Sequence, residues 1–238
     1  MRTLFVSDVH LGSYKSHPDA LLSVLKSLEF DNLVIVGDFL DLTGMRRSVH
    51  WTAAHSLVLQ KILRLSRKGV AVHYVLGNHD GYLRDLLDGG DVMLGDIRIC
   101  DEMVWVTASG RRVYITHGDN FDGFVGVSRL LYTIGDVSYE WSMRINKVYN
   151  KIRRALGMEY WSVSAFLKSR VKGVVGFLTQ YRRAAEARLR ETGCDVLMMG
   201  HTHTPELSES FINTGDFCES CSYVVEALDG TLELRFAK

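Results

Sequence analysis

Prolines, cysteines and long apolar runs are scarce in this sequence, and each scarcity excludes a class of protein. Only two of the 238 residues are proline, and no Gly/Ser-rich or low-complexity stretch suggests a linker, so we expect one continuous domain over residues 1–238. No apolar run approaches the ~20 residues that a membrane-spanning helix needs. A strand begins directly after Met1-Arg2, which leaves no room for a signal peptide and favours a cytoplasmic protein.

The four cysteines are scattered along the chain, as expected in a reducing compartment. Cys218 and Cys221 form a C-x-x-C pair, which is compatible with redox activity or with half of a zinc site. No second pair accompanies it, so we expect ordinary thiols without a chemical role.

Net charge is zero, but its distribution is uneven. Residues 124–190 contain thirteen Lys or Arg and four Asp or Glu, so this stretch carries +9 and the remainder −9. The stretch is also rich in aromatic residues and helical in its periodicity, which predicts a helical insertion there. A basic insertion on an acidic body favours an anionic partner: a nucleotide, a phospholipid surface or a nucleic acid.

Apolar runs alternate with amphipathic segments in the first part of the chain, which predicts a largely parallel sheet. The predicted strands there are 4–7, 33–36 and 70–76, and the predicted helices are 19–28, 49–68 and 82–87. Closely spaced strands at 97–100, 103–106 and 112–116 predict a β-meander. Further strands are predicted at 196–199, 222–227 and 231–236. We therefore expect two β-sheets packed face to face, with helices outside.

Five short motifs place metal-ligand residues at the ends of predicted strands. They are D-V-H at 8–10, G-D-F-L-D at 37–41, G-N-H-D at 77–80, H-G-D at 117–119 and G-H-T-H at 200–203. Strand ends at one edge of a sheet are where α/β proteins bind ligands. Carboxylates, imidazoles and a side-chain amide suit Mn²⁺, Fe²⁺ or Zn²⁺. The motifs together supply ligands for two adjacent divalent ions.

In order and spacing, these blocks resemble those of the calcineurin-like metallophosphoesterases, D-x-H, G-D-x-x-D, G-N-H-[DE], H and G-H-x-H. The resemblance covers residues 8–203 and implies the α/β fold of that family, a four-layer αββα sandwich of two mixed β-sheets, here with a helical cap inserted at 124–190. It implies that the first ion is held by Asp8, His10, Asp38 and His203. It implies that the second ion is held by Asp38, Asn78, His117 and His201. We expect Mn²⁺, with Fe²⁺ or Zn²⁺ as alternatives.

The family resemblance also implies a mechanism. Two metal ions bind phosphate oxygens and acidify water, and the resulting hydroxide attacks phosphorus in line. His79 would assist the leaving group and Asp41 would orient it, as an acid–orienter pair. Asp119 and Asp122 are expected to contact ligands rather than the ions.

Within the family, the chain is most similar to the UDP-2,3-diacylglucosamine diphosphatase-like branch, bacterial enzymes of lipid A synthesis. The similarity includes His117-Gly118-Asp119, the long insertion and Gly200-His201-Thr202-His203-Thr204-Pro205. It implies a nucleotide-linked glycolipid substrate and peripheral association with the cytoplasmic face of the inner membrane. The basic residues expected to contact the substrate are Lys168, Arg170 and Lys172 in the insertion and Arg46 and Arg47 at the rim.

One departure leaves the substrate open. The best-known members of that branch carry Arg where His79 stands, and His79 is typical of the wider superfamily. The alternative functions are a soluble phosphodiesterase or phosphatase of other specificity and, less favoured because no ligand is missing, a non-catalytic scaffold of the same fold. A nuclease is not expected, since no nucleic-acid-binding module is recognisable. Oligomeric state is not specified by these patterns.

Overall fold

A computed structural model of the protein describes residues 3–87, 89–124, 183–184 and 186–237. The chain divides into two compact units, Met1–Asp119 with Arg188–Lys238, and Asn120–Ala187. All the described strands belong to the first unit. The predicted cap at 124–190 falls mostly on residues 125–182, outside the described residues, and stays a prediction.

Twelve strands are described, and they form two sheets. In chain order they are β1 (Thr3–Val6), β2 (Asn32–Val36), β3 (Ala71–Val75), β4 (Val92–Leu94), β5 (Ile97–Cys100), β6 (Glu102–Val106), β7 (Arg112–Thr116), β8 (Val196–Met199), β9 (Glu206–Leu207), β10 (Phe211–Asn213), β11 (Ser222–Glu226) and β12 (Leu232–Phe236). The larger sheet has the order β12-β11-β1-β2-β3-β5-β4, and the smaller has the order β6-β7-β8-β10-β9. Both are mixed: β1, β2, β3 and β5 run parallel, as do β7, β8 and β10, and the flanking strands run antiparallel.

The described helices of the first unit are few. They are α1 (Pro18–Ser27), the single turn α2 (Leu42–Met45) and α3 (Ala53–Arg67), together with a 3₁₀ helix at Gly81–Leu86. The prediction that a helix starts at residue 49 is wrong. Thr52 is extended and forms the N-cap of α3, because its hydroxyl and backbone N–H make reciprocal contacts with the third helical residue, His55. A second 3₁₀ helix, Asp119–Phe124, spans the boundary of the two units.

Two apolar cores separate the layers. Alternate residues of β1–β3 point to opposite faces, as strand geometry requires. Phe5, Val34 and Val75 meet residues of the smaller sheet such as Ile115 and Met198. The other face of the larger sheet packs against α1 and α3 through a second buried cluster. The fold is therefore the predicted α/β sandwich of two mixed sheets.

The outer face of the smaller sheet contacts helical residues 188–192. Arg188 Nε donates a hydrogen bond to the Tyr114 hydroxyl at 3.0 Å, and the guanidinium carbon lies 5.3 Å from the centre of that ring. The outer α-layer of the αββα arrangement on this side of the sandwich stays a prediction.

The predicted β-meander over residues 97–116 is wrong. β5 pairs in parallel with β3 in the larger sheet, whereas β6 and β7 pair with each other in the smaller sheet. The chain crosses between sheets at Asp101, the single residue that separates β5 from β6. The spacing of strands along the chain does not show which sheet a strand joins, because that depends on which residues each strand buries between the two facing sheets.

Five strands end where the predicted motifs begin. β1, β2 and β3 end at one edge of the larger sheet, and β7 and β8 end together in the smaller sheet, since the strands in each set are parallel. The loops after β1 and β2 are joined by backbone hydrogen bonds, among them His10 N to Asp38 O at 2.9 Å. No helix among the described residues is long and apolar enough to cross a membrane.

Candidate metal centre

The backbone of the candidate ligands is unusual. Asp8, His10, Asp38, His201 and His203 have positive φ values between 49° and 64°. Such left-handed conformations are uncommon for residues other than glycine and persist where surrounding contacts enforce them. The enforcing contacts include Asp8 N to Gly37 O at 3.1 Å and His201 N to the Asp8 carboxylate at 3.0 Å. These strained turns bring side chains from separate loops to one place.

A first group of side chains surrounds the Asp8 carboxylate. His203 Nε2 lies 3.1 Å and His10 Nε2 lies 3.8 Å from Asp8 Oδ1. Each of these three residues offers a ligand atom, and the three atoms lie within 4.8 Å of one another. His10 Nε2 is also 3.7 Å from Asp38 Oδ2, so the second carboxylate adjoins this group. The geometry suits one ion with mixed oxygen and nitrogen ligands.

A second group shares Asp38 with the first. His117 Nε2 lies 3.3 Å from Asp38 Oδ2, and the His201 ring centre lies 5.1 Å from that of His117. Asp8, Asp38 and His117 again place ligand atoms within 4.8 Å of one another. Asn78 is exposed in the loop after β3, beside His79, whose backbone N–H donates to Asp38 Oδ1 at 2.8 Å. Asp38 therefore lies between the two groups.

Buried atoms without hydrogen-bond partners test whether this cluster fits metal ions. Asp8 Oδ1, His10 Nε2 and His117 Nε2 are among the buried atoms of the described residues without such a partner, as are His55 Nε2 and His73 Nδ1 outside the cluster. Leaving a buried polar atom unpaired costs about 1–3 kcal/mol, so such atoms need an explanation. His117 Nδ1 lies 3.0 Å from Val36 O, a contact that orients the ring and leaves Nε2 facing the carboxylates. The donor set therefore fits divalent ions.

Electrostatics within the cluster link the carboxylates to the imidazoles. Burial on its own raises the pKa of Asp8 and of Asp38, but nearby histidines, chiefly His203 and His117 respectively, outweigh it and lower both values. Burial likewise lowers the pKa of His117, and the charge of Asp38 outweighs it and holds that pKa well above the ordinary value. The carboxylates and the imidazoles of the cluster therefore stabilise one another's charges in the metal-free protein.

His79 adjoins the cluster and also pairs with Asp41, and His10, Asp38 and His79 place ligand atoms within 4.8 Å of one another. His79 Nδ1 lies 2.7 Å from Asp41 Oδ1, and the same oxygen accepts a hydrogen bond from Gly44 N at 2.8 Å, which caps α2. Burial lowers the pKa of His79, but the contact with Asp41 and the charge of Asp38 outweigh it and raise the value. The His79 ring stands edge-on to His10 at 4.6 Å between centres. Asp41 thus holds Nδ1 of His79 and orients its ring.

Small residues make room for these carboxylates. A Cβ added at Gly77 would overlap Asp38 and His117, and one added at Gly200 would overlap the Asp8 carboxylate and Ser7. Glycine at these two motif positions lets the backbone of one loop touch the side chain of another.

Two supporting residues were not predicted to have a role. Asp80 is fully buried and accepts hydrogen bonds from Phe39 N at 2.9 Å, from Gly77 N at 2.5 Å and from the Tyr74 hydroxyl. Arg84 binds Asp119 with two hydrogen bonds of 2.9 and 3.1 Å. Asp80 belongs to the G-N-H-D motif, so the motif could have indicated a supporting role for it. Nothing in the sequence marked Arg84.

The other predicted contact residues lie in different settings. Arg46 and Arg47 are exposed, and Arg46 Nη1 donates to the Tyr82 hydroxyl at 2.5 Å. Asp119 pairs with Arg84, and Asp122 lies in the 3₁₀ helix Asp119–Phe124. The remaining predicted substrate contacts, Lys168, Arg170 and Lys172, lie outside the described residues.

The C-x-x-C pair lies near the centre but is not bonded. Cys218 and Cys221 are not joined by a disulfide. Cys218 is buried, its Sγ lies 3.7 Å from Asp8 O, and burial raises its pKa well above the ordinary value. A neutral, buried thiol is a poor metal ligand or nucleophile.

Proteins similar to this chain in sequence share one name. A UDP-2,3-diacylglucosamine hydrolase of Aeromonas salmonicida is 25% identical over 230 residues, which cover 88% of this chain and 80% of that protein. A protein of the same name from Shewanella sp. is 21% identical over 263 residues, which cover 97% of this chain and 95% of that protein.

Solved structures show a similar arrangement at low identity. A phosphoesterase of E. coli, YfcE, has a TM-score of 0.45 and 17% identity, with each chain fully covered. Vacuolar protein sorting 29 of Cryptosporidium parvum has a TM-score of 0.48 and 13% identity, covering 100% of this chain and 98% of that one. These likenesses concern the fold alone.

The family model gives a broader match. Residues 1–205, which include all five motifs, match the model of the calcineurin-like phosphoesterases. That family consists of hydrolases of phosphoric esters that use divalent metals, which agrees with the donor set described above. This chain belongs to the calcineurin-like phosphoesterase family.

Proposed function

We propose that this phosphoesterase is a pyrophosphatase that hydrolyses UDP-2,3-diacylglucosamine or a related nucleotide-linked lipid with two divalent ions, of which Mn²⁺ is the first choice. The observation that carries the two-ion assignment is the convergence of buried, unpartnered ligand atoms from Asp8, His10 and His117 around a shared Asp38. The names of the relatives from Aeromonas salmonicida and Shewanella sp. support the substrate class.

The proposed ion ligands are those that the family resemblance implies, and the two groups of side chains support the assignment. The first ion would be held by Asp8, His10, Asp38 and His203, and the second by Asp38, Asn78, His117 and His201. When bound, such ions stabilise charge on phosphoryl oxygens and make water more acidic. The carboxylates of Asp8 and Asp38 would hold the ions, because burial does not raise their pKa values above the ordinary range and both stay ionised at neutral pH.

His79 handles the proton of the reaction. In the metal-free protein the contact with Asp41 and the charge of Asp38 raise the pKa of His79, and Asp41 fixes the ring through Nδ1. Nε2 can then give a proton to the departing oxygen, or stabilise charge there, as phosphorus–oxygen cleavage proceeds. Asp41 is itself held by the N–H of Gly44, so the pair is oriented before substrate arrives.

Substrate contacts and membrane association complete the proposal. Arg46 and Arg47 are exposed in the segment that follows α2. Thr43, in α2, donates its backbone N–H to His79 O at 3.1 Å, so this segment lies beside His79 and its two arginines would contact an anionic group there. Lys168, Arg170 and Lys172 would meet the diphosphate, and the basic stretch 124–190 would rest on the anionic face of the inner membrane. Asp119 and Asp122 would support ligands.

His79 also supports a second candidate function. The best-known enzymes of the UDP-diacylglucosamine branch carry Arg at this position, so a soluble phosphodiester substrate is the alternative.

Parallel assays with Mn²⁺ distinguish the two candidates. The lipid substrate is UDP-2,3-diacylglucosamine in detergent, and the soluble substrate is bis(p-nitrophenyl) phosphate. We expect hydrolysis of the lipid, and loss of that activity in His117→Gln but not in His73→Gln, a matched change of a histidine in β3 outside the centre. Turnover of the soluble diester alone would refute the lipid assignment. Full activity of His117→Gln would refute the ion assignment.

A further inference from the structure

The guanidinium of Arg84 joins three separate parts of the chain. Its Nε donates to Asp101 Oδ1 at 2.7 Å. Its Nη1 and Nη2 donate to the two carboxylate oxygens of Asp119 at 2.9 and 3.1 Å, and Nη2 also reaches Leu76 O at 3.4 Å. The planar guanidinium has donors in a fixed fork, so one side chain satisfies all three partners at once.

Two of these partners flank candidate ligands of the second ion. Leu76 follows β3 and precedes Asn78 by two residues, and Asp119 follows His117 by two residues. Asp101 instead lies where the chain crosses from the larger to the smaller sheet. Arg84 therefore bridges the loop after β3 to the loop after β7, one in each sheet.

The pair of Arg84 and Asp119 is sheltered enough to act as a rigid link. The Asp119 side chain is 12% exposed and that of Arg84 is 34% exposed. Bidentate pairs in such partly buried settings have a defined geometry, unlike exposed ion pairs. None of the hydrogen bonds that Arg84 makes among the described residues reaches the loops after β1 or β8.

We propose that Arg84 is a positioning residue that sets the spacing between Asn78 and His117 and thereby the affinity for the second ion. This inference rests on the proposed function, because it takes the two-ion centre as given. Removing Arg84 leaves Asp119 without its cation and removes the side-chain link between the two loops, each of which keeps its other hydrogen bonds. The first ion is then held as before and the second is held more weakly.

A purely structural role is the competing explanation, because Arg84 also binds Asp101 at the sheet crossing. The two partners separate these roles. Asp119→Asn weakens the link to the loop after β7, and Asp101→Asn weakens only the link at the crossing. Arg98→Gln is a matched control, because Arg98 forms an exposed ion pair with Asp91 in the same sheet.

The experiment titrates Mn²⁺ into metal-free protein by calorimetry, counts bound metal by elemental analysis and records thermal unfolding. We expect wild type, Asp101→Asn and Arg98→Gln to bind two ions alike. In Arg84→Gln and Asp119→Asn, affinity for the second ion falls ~10-fold or more, as for other residues that orient metal ligands, with the first ion unchanged. Arg84→Lys keeps the positive charge but lacks the planar guanidinium, so its affinity for the second ion should lie between those of wild type and Arg84→Gln.

Each outcome decides one point. If Arg84→Gln lowers the affinity for both ions equally, Arg84 is a general structural residue and the inference is overturned. The same holds if Asp101→Asn lowers the affinity for the second ion as much as Asp119→Asn does. Two undisturbed ions in Arg84→Gln overturn it as well, while the proposed function stands. A wild-type protein that binds no pair of ions removes the proposed function itself.

Discussion

Asp80 is the residue whose replacement tests the architecture of the centre most directly. In Asp80→Ala, two backbone N–H groups and the Tyr74 hydroxyl lose their acceptor in a fully buried position. An unsatisfied buried donor costs about 1–3 kcal/mol, so three of them destabilise the metal-free protein by at least about 3 kcal/mol. Burial and the charge of Asp38 raise the pKa of Asp80, so part of this loss is offset by removing a costly charge.

A graded series makes the prediction quantitative. Asp80→Asn places an amide N–H₂ against one of the donors and is expected to cost about 1–3 kcal/mol, and Tyr74→Phe removes one donor and costs about 1 kcal/mol. Asp91→Ala, which breaks an exposed ion pair with Arg98, is the control and costs less than about 1 kcal/mol. Urea unfolding of metal-free protein measures all four. If Asp80→Ala falls within about 1 kcal/mol of wild type, hydrogen bonds to Asp80 do not hold these loops.

Four further substitutions test the centre. Asp38→Ala is expected to lose both ions and nearly all turnover, and elemental analysis that still finds two ions would contradict a shared ligand. His79→Ala keeps both ions but lowers kcat by ~10²-fold or more, and an unchanged kcat would exclude a role in proton transfer. Because the folded protein raises the pKa of His79 above 6.5, His79→Gln should destabilise the metal-free protein below that pH, and the difference should vanish as the pH rises through the raised value. Urea unfolding across pH checks this, and a loss confined to alkaline pH would contradict it. Gly200→Ala should cost about 1–3 kcal/mol by pushing its Cβ against Asp8, and thermal unfolding like that of wild type would contradict the close approach.

The positions of the ligand loops could be predicted from the sequence because burial marks their strands so strongly. β1, β2 and β8 are wholly buried, and a strand buried on both faces appears as an uninterrupted apolar run. Motif residues directly after such runs must fall at a sheet edge. The strand pattern also predicted the two-sheet α/β fold, whereas the pairing of His79 with Asp41 was implied by the family resemblance.

The remaining features depend on tertiary contacts that leave no local signal. β9 has two residues and α2 has four, too few for any periodicity to register. The division of strands at Asp101 follows from which face each strand buries. The role of Arg84 depends on Asp119, 35 residues away, so only the folded chain reveals the contact. Ion binding, the cap and the substrate contacts stay predictions.

The left-handed turns of the five candidate ligands have an evolutionary consequence. Each such residue costs about 1 kcal/mol in the fold, so together they weigh noticeably against a net stability of about 5–15 kcal/mol. Bound cations offset that burden only while the protein retains them. In a descendant that no longer hydrolyses phosphoesters, glycine in place of His201 or His203 would relieve this backbone cost and stabilise the fold. Under relaxed selection, metal ligands at these turns would therefore be lost before residues of the surrounding sandwich.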